Sequence, residues 1–168
     1  MPYALLALVL VILDQVVKYL VLTHIPLGYV PFLPHVVCLT YVQNTGAAFS
    51  MFSQHTWILA FISLVMSVVL AVALWKNFFT HPLGKVTLSL LLAGAVGNLI
   101  DRAMRGFVVD MFQLLFMNFA VFNVADICIT VGAVWLAVYV LFGYEKLEKK
   151  SKKEAPTHDG TDLSSDDT

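Results

Sequence analysis

The stretch from Tyr19 to Trp75 contains no Asp, Glu, Lys or Arg, and this is the feature that most limits what the chain can fold into. A soluble domain is about 25% charged, whereas this chain of 168 residues is 60% hydrophobic and only 12% charged. Such a composition excludes a soluble enzyme, a nucleic-acid binder with a basic face and a disordered chain. It indicates a protein that crosses a membrane several times.

Four segments are long and apolar enough to cross a bilayer, which takes about 20 helical residues. We predict spans at about 3–22, 57–75, 83–103 and 119–144. The first segment lacks a basic start and is interrupted by polar residues, so we expect it to be retained as a span and not removed as a signal peptide. The fold class is thus an all-α membrane protein. We expect one membrane domain over residues 1–144 and a charged, disordered tail over residues 145–168.

Lysine and arginine are unevenly divided between the two sides of these spans. Lys76 follows the second span and Lys85 lies at the start of the third, and the tail adds five lysines on the same side. The other side holds only Arg102 and Arg105. Because cytoplasmic loops carry the excess of positive charge, we expect both termini in the cytoplasm and the first and third loops outside.

The first loop, residues 23–56, has the composition of a small β-sheet. The run from Val36 to Val42 is rich in β-branched and aromatic residues, and Asn44 to Gly46 forms a turn signal after it. We expect a small extracytoplasmic sheet within this loop, lying on the helices. Pro26, Pro31 and Pro34 limit how much of the loop before this run can be regular.

Polar side chains within the spans all fall at one depth. Charged groups inside a membrane cost about 2.5–3.5 kcal/mol each, so their placement is informative. With the topology above, the polar groups of three spans and one loop converge on a single layer near the outer face: Asp14, Lys18, Asn98, Asp101, Arg102, Asp110, Asn123 and Asp126.

Helical spacing suggests how part of this layer pairs. Asp14 and Lys18 are four residues apart and can form an ion pair on one helix face. A structural role is favoured for this pair, and equally for Asp101 with Arg102. The pattern Asn-x-x-Asp occurs twice, beginning at residues 98 and 123.

Asp110 and Asp126 differ from the other acids of this layer because neither has a Lys or Arg within four residues. Two carboxylates that lie close together in a dry site cannot both ionise, and they share a proton as in aspartic proteases. The residues alone leave a structural role equally open. The histidines lack the spacing of metal ligands.

Five motifs, in order, resemble the lipoprotein signal peptidase family, also called signal peptidase II. They are Asp14-Gln15-x-x-Lys18, Asn44-Thr45-Gly46-Ala47-Ala48-Phe49, Gly97-Asn98-Leu99-Ile100-Asp101-Arg102, Val108-Val109-Asp110 and Phe122-Asn123-Val124-Ala125-Asp126. The resemblance covers residues 1 to about 144. Two departures, Ala120 where many members have Pro and Ile127 where many have Ser, leave the acidic pair intact.

The resemblance implies an intramembrane aspartic endopeptidase of the bacterial cytoplasmic membrane that cleaves prolipoproteins before a diacylglyceryl-modified cysteine. It places the catalytic pair on Asp110 and Asp126. The substrate-binding or supporting residues that it implies are Asp14, Lys18, Asn44, Gly46, Asn98, Asp101, Arg102 and Asn123. It also implies contact with membrane lipids and inhibition by cyclic peptides of the globomycin type. We expect a monomer that uses no metal or cofactor and binds no nucleic acid.

Two other classes of function are compatible with a polar layer. In a transporter or channel subunit the layer would be an ion or proton path, although here it does not continue to the cytoplasmic face. In a membrane scaffold the polar groups would only hold the helices together. Hydrolysis of a lipidated peptide by purified protein distinguishes the three.

Overall fold

The computed structural model describes residues 2–25, 29–46 and 56–143. Four helices carry the chain: α1 Pro2–His24, α2 Thr56–Trp75, α3 Pro82–Arg105 and α4 Val124–Val138, the last continuing as a π-helical turn Tyr139–Gly143. All four are long and apolar enough to span a membrane, α4 together with its π-turn. The prediction of four spans is therefore confirmed. The predicted tail, residues 145–168, lies outside the described residues, so the division into domain and tail stays a prediction.

Helix α3 is the centre of the bundle, because α1, α2 and α4 each pack against it. Small residues allow this close approach. A Cβ atom on Gly97 would lie 2.7 Å from an oxygen of Asp14 and 3.2 Å from the Cβ of Ala125. Gly94 likewise faces the Ala125 carbonyl and Ile129. The glycines of α3 therefore leave room for the Asp14 side chain of α1 and for the first turns of α4.

A three-stranded antiparallel sheet lies beyond the helices, in the order β1 Tyr29–Leu33, β2 Val37–Asn44, β3 Val108–Leu114. The prediction of a small sheet is confirmed, but its confinement to the first loop is wrong. The third strand comes from the loop between α3 and α4, with Val42 opposite Asp110 and Asn44 opposite Val108. Asp110 is thus a strand residue, and its partner strand lies more than 60 positions away in the chain.

Strand β1 is a short regular segment in the proline-containing stretch before β2. It runs through Pro31, because β1 is an edge strand on which a missing N–H need not break the ladder. The register between β1 and β2 shifts between Pro31 and Leu33. On the side of the sheet that faces the helices, Val109 and Met111 are fully buried and pack with Val21 near the C-terminal end of α1.

The fourth span begins later than predicted. Phe122 pairs with Phe112 as an isolated bridge, with backbone hydrogen bonds of 2.8 and 3.1 Å. Residues 119–123 therefore approach α4 without helical structure, and the helix starts at Val124 with Asn123 as its N-cap.

Candidate active site

Asp110 lies near the start of β3, almost fully buried, and is held by two side-chain amides. Asn44 Nδ2 donates to its Oδ2 at 2.8 Å, and Asn123 Nδ2 donates to its Oδ1 at 2.6 Å. Asn44 is the last residue of β2, and its side chain is fixed in turn by the Gly46 N–H, 3.0 Å from Asn44 Oδ1. The turn signal after β2 therefore positions a hydrogen-bond donor for Asp110.

Asp126 lies in the first turn of α4 and takes part in a capping box with Asn123. The Asp126 N–H donates to Asn123 Oδ1 at 2.9 Å, and the Asn123 N–H donates to Asp126 Oδ2 at 3.2 Å. The second Asn-x-x-Asp motif is thus a helix cap, and its two residues do not share a helix face. Asn98 Nδ2 donates to the other oxygen of Asp126 at 2.8 Å.

Asn123 connects the two acids, since its Nδ2 donates to the Asp110 carboxylate and its backbone N–H donates to the Asp126 carboxylate. Its Nδ2 also donates to Asn98 Oδ1 at 3.2 Å. No Lys, Arg or His of the described segments lies within 4.0 Å of either carboxylate. Burial raises the pKa of Asp110 to about 6, and the charge of Asp126 adds to the rise, whereas the amides of Asn44 and Asn123 oppose it. Asp110 can therefore change protonation state close to neutral pH.

The remaining acids of the layer form an ion network. Lys18 Nζ lies 2.8 Å from Asp14 Oδ2, 3.0 Å from Asp101 Oδ2 and 3.1 Å from Asn98 Oδ1. The predicted pair of Asp14 with Lys18 is confirmed. Asp101 also pairs with Arg105, one turn further along α3, and not with its neighbour Arg102.

This network also holds the backbone beside Asp110 and Asp126, which we call the amide-bound acids because side-chain amides donate hydrogen bonds to them. Asp14 Oδ1 accepts the N–H of Ala125 at 2.8 Å, and Asp101 Oδ2 accepts the N–H of Val109 at 3.0 Å. Ala125 directly precedes Asp126, and Val109 directly precedes Asp110. The ion network therefore positions Asp110 and Asp126 by holding the main-chain N–H group of the residue that precedes each of them.

Arg102 points elsewhere, toward the turn after β2. Its Nη2 donates to the Gly46 carbonyl at 3.2 Å, and its Nη1 donates to the Asn98 carbonyl at 3.5 Å. Its Nε is buried and has no hydrogen-bond partner within the described residues. Arg102 thus ties the first loop to α3 and retains an unused donor.

A cavity of about 680 Å³ opens beside the acids. Asp110, Asp126, Asn44, Asn98 and Arg102 line one end, and its other walls are predominantly apolar, contributed by α2, α3, β3, α4 and the segment that leads into α4. Leu91, on its wall, is eleven residues from Arg102 along α3, a depth of about 16 Å.

Sequence reasoning missed the contribution of α2 to this cavity. Ile62, Ser63, Met66 and Leu70 line it, but a uniformly apolar helix offers no local signal for which face meets a cavity. The structure otherwise brings all the predicted site residues together. Within residues 2–25, 29–46 and 56–143, no three His, Cys, Asp or Glu side chains cluster as a metal site.

Comparison with known proteins gives one consistent answer. The family model described as signal peptidase (SPase) II matches residues 6–142. The lipoprotein signal peptidase of Streptococcus pneumoniae is 46% identical over 145 residues, which cover 82% of this chain and 91% of that protein. The lipoprotein signal peptidase of Enterococcus faecalis is 42% identical over 153 residues, covering 90% and 92%. A solved bacterial membrane enzyme is similar with a TM-score of 0.78 and 30% identity, covering 92% of this chain and 93% of that one.

Proposed function

This chain belongs to the signal peptidase II family and removes signal peptides from prolipoproteins, and from that premise we propose that Asp110 and Asp126 are its catalytic pair. The observation that carries the proposal is their shared environment. Both are bonded through Asn123, both line one end of an apolar cavity, and each is held by neutral amides.

Neutral donors matter because they leave the proton of the pair available for chemistry. One carboxylate, ionised, takes a proton from a water molecule that attacks the scissile carbonyl. The other carboxyl donates its proton to the carbonyl oxygen. The tetrahedral intermediate then collapses as its amine takes up a proton and leaves. The two acids titrate as a unit, so either can serve as the base.

The supporting residues divide by what they contact. Asn44, Asn98 and Asn123 orient the two carboxylates. Asp14, Lys18 and Asp101 hold the main chain behind them. Arg102, on α3, lines the cavity and donates to the Gly46 carbonyl, so it ties the first loop to the helix beside the site.

The substrate is a prolipoprotein whose cysteine carries a diacylglyceryl group. The cavity walls are apolar and run about 16 Å inward from the acids, which suits an apolar signal segment held in the bilayer. Acyl chains contribute about 0.8 kcal/mol per buried CH₂ to membrane anchoring. They would fix the scissile bond at the depth of Asp110 and Asp126, so that binding energy is used for orientation.

The same cavity is our proposed site for cyclic peptide inhibitors of the globomycin type. We also propose that the protein works as a monomer, and that the many exposed apolar side chains of its helices contact membrane lipids.

We further propose that the protein lies in the bacterial cytoplasmic membrane with both termini in the cytoplasm. The seven-to-two division of Lys and Arg supports this orientation. Reporter enzymes fused after residue 40 and after residue 80 should report the outside and the inside, respectively. The opposite pattern would invert the membrane orientation of the site.

The catalytic assignment is tested with Asp110→Asn and Asp126→Asn, assayed in detergent on a lipidated prolipoprotein peptide and on the same peptide without lipid. General acid–base catalysis contributes about 10²–10⁴-fold, and an amide can neither act as the base nor share the proton. We expect each variant to lose at least that much turnover, and the wild type to cleave only the lipidated peptide efficiently.

Asp159→Asn, in the tail, is the matched control for loss of a carboxylate and should retain full turnover. Full activity of either Asp110→Asn or Asp126→Asn would refute the catalytic pair. Equal rates on the two peptides would leave the pair in place and refute the role of the lipid.

A further inference from the structure

The end of the sheet farthest from the acids carries a group of exposed apolar side chains. We call it the apolar tip; it consists of Phe32, Leu33, Val36, Leu115, Phe116 and Met117, which are between 40% and 65% exposed. The group is continuous because the Leu115 N–H donates to the Val36 carbonyl at 2.9 Å. Two loops that are distant in the chain therefore form one surface.

The edge strand leading to this tip is exposed along its whole length. All five residues of β1, Tyr-Val-Pro-Phe-Leu, are exposed. Edge strands that face water are normally protected by charged residues, because an apolar edge invites aggregation. Here residues 29–46 and 111–125 contain no Asp, Glu, Lys or Arg. The sheet is therefore built for an environment other than water.

The position of the sheet indicates which environment this is. Its inner strand is fixed to the outer end of α1, where Val109 and Met111 pack with Val21, three residues before the helix ends. The sheet thus begins at the level where the apolar spans end. From Asp110 to Leu114 the strand extends about 13 Å. A sheet anchored there can carry its tip along the membrane surface.

From this arrangement we propose that the apolar tip inserts into the lipid surface of the leaflet on the active-site side. The partner is the boundary between headgroups and acyl chains, which accepts apolar and aromatic side chains and needs no complementary charge. The tip adjoins the cavity through Leu114, which lines it. Insertion therefore holds the cavity at the depth of a lipid-anchored substrate. The proposal requires the four helices to span the membrane and does not depend on the catalytic role of Asp110 or Asp126.

Site-specific fluorescence on the full chain in phosphatidylcholine vesicles tests the proposal. Phe116→Cys, in a Cys38→Ala, Cys128→Ala background, carries an environment-sensitive label. Phe32→Cys provides a second position on the other loop, and retained cleavage activity verifies folding. We expect the emission of the label to be blue-shifted. Lipids that carry a doxyl group near the acyl carbonyl should quench most of the fluorescence, whereas iodide in the aqueous phase should quench little of it.

Gln43→Cys is the matched control, because Gln43 is exposed and polar and lies near the site end of β2. Its label should be more open to iodide than the labels at positions 32 and 116. Equal access to iodide at all three positions would overturn the proposal. Shielding that disappears when the protein is diluted with excess lipid would also overturn it, since a second copy of the chain would then cover the tip.

Discussion

Two groups of acids in the same polar layer are stabilised in opposite ways. Asp14 and Asp101 are ion-paired, with Lys18 between them at 2.8 and 3.0 Å. Asp110 and Asp126 receive amide donors and, among the described residues, have no cation within 4.0 Å. The comparison teaches that a buried carboxylate can be held either by a cation or by neutral amides, and that only the second arrangement fixes its position without a counter-charge.

The two groups are also joined in a fixed order. Each ion-paired acid accepts the N–H of the residue before an amide-bound acid. The ion network is therefore the support, and the amide-bound pair is the supported group. Substitutions in the first group should act mainly on stability, and those in the second mainly on turnover.

The largest expected loss of stability comes from Lys18→Met, which leaves Asp14 and Asp101 buried without their shared cation. Removing one partner of a buried pair costs about 3–5 kcal/mol. We expect a large drop in the free energy of unfolding in detergent. Lys85→Met, whose ammonium lies over the Tyr3 ring 5.6 Å from its centroid, is the control and should change little. Unchanged stability of Lys18→Met would mean that the network is not the support.

A smaller effect, on chemistry, is expected from Asn44→Ala. A hydrogen bond to a charged group contributes about 1.5–3 kcal/mol, so turnover should fall by about ten- to a hundredfold. The amide of Asn44 lowers the pKa of Asp110, so its loss should raise that pKa above about 6. The limb of the pH–rate profile that reports Asp110 should therefore move to higher pH. Asn118→Ala, an exposed asparagine before α4, should leave the profile in place. A downward shift in Asn44→Ala would contradict the amide's role.

The smallest effect is expected from Arg105→Ala. The Arg105 side chain is 25% exposed, and Asp101 keeps Lys18 and the Val109 N–H as partners without it. Partly exposed pairs contribute about 0–1 kcal/mol. The thermal unfolding temperature of Arg105→Ala should therefore fall only slightly. Arg105→Lys should lie between the wild type and Arg105→Ala. A loss of stability as large as that of Lys18→Met would mean that Arg105, and not only Lys18, is an essential cation of the network.

Much of the site was predictable because its signals are local. Asp110 and Asp126 stand out by having no neighbouring cation, and Asp14 with Lys18 by helical spacing. The partner of Asp101 was not predictable, since Arg102 and Arg105 are both near it in the chain. Only the direction in which each side chain leaves α3 decides between them.

What the sequence by itself determined is the set of four spans, the single depth of the polar groups and the motifs that carry the family resemblance. These depend on apolar length, helical period and composition, all of which act within a few residues. The tertiary structure alone decided that β3 completes the sheet, that α4 begins at Val124, and that α2 lines the cavity. Each of these depends on segments distant in the chain meeting within a few ångströms, and the free energy of such a meeting comes from packing and hydrogen bonds that no local pattern encodes.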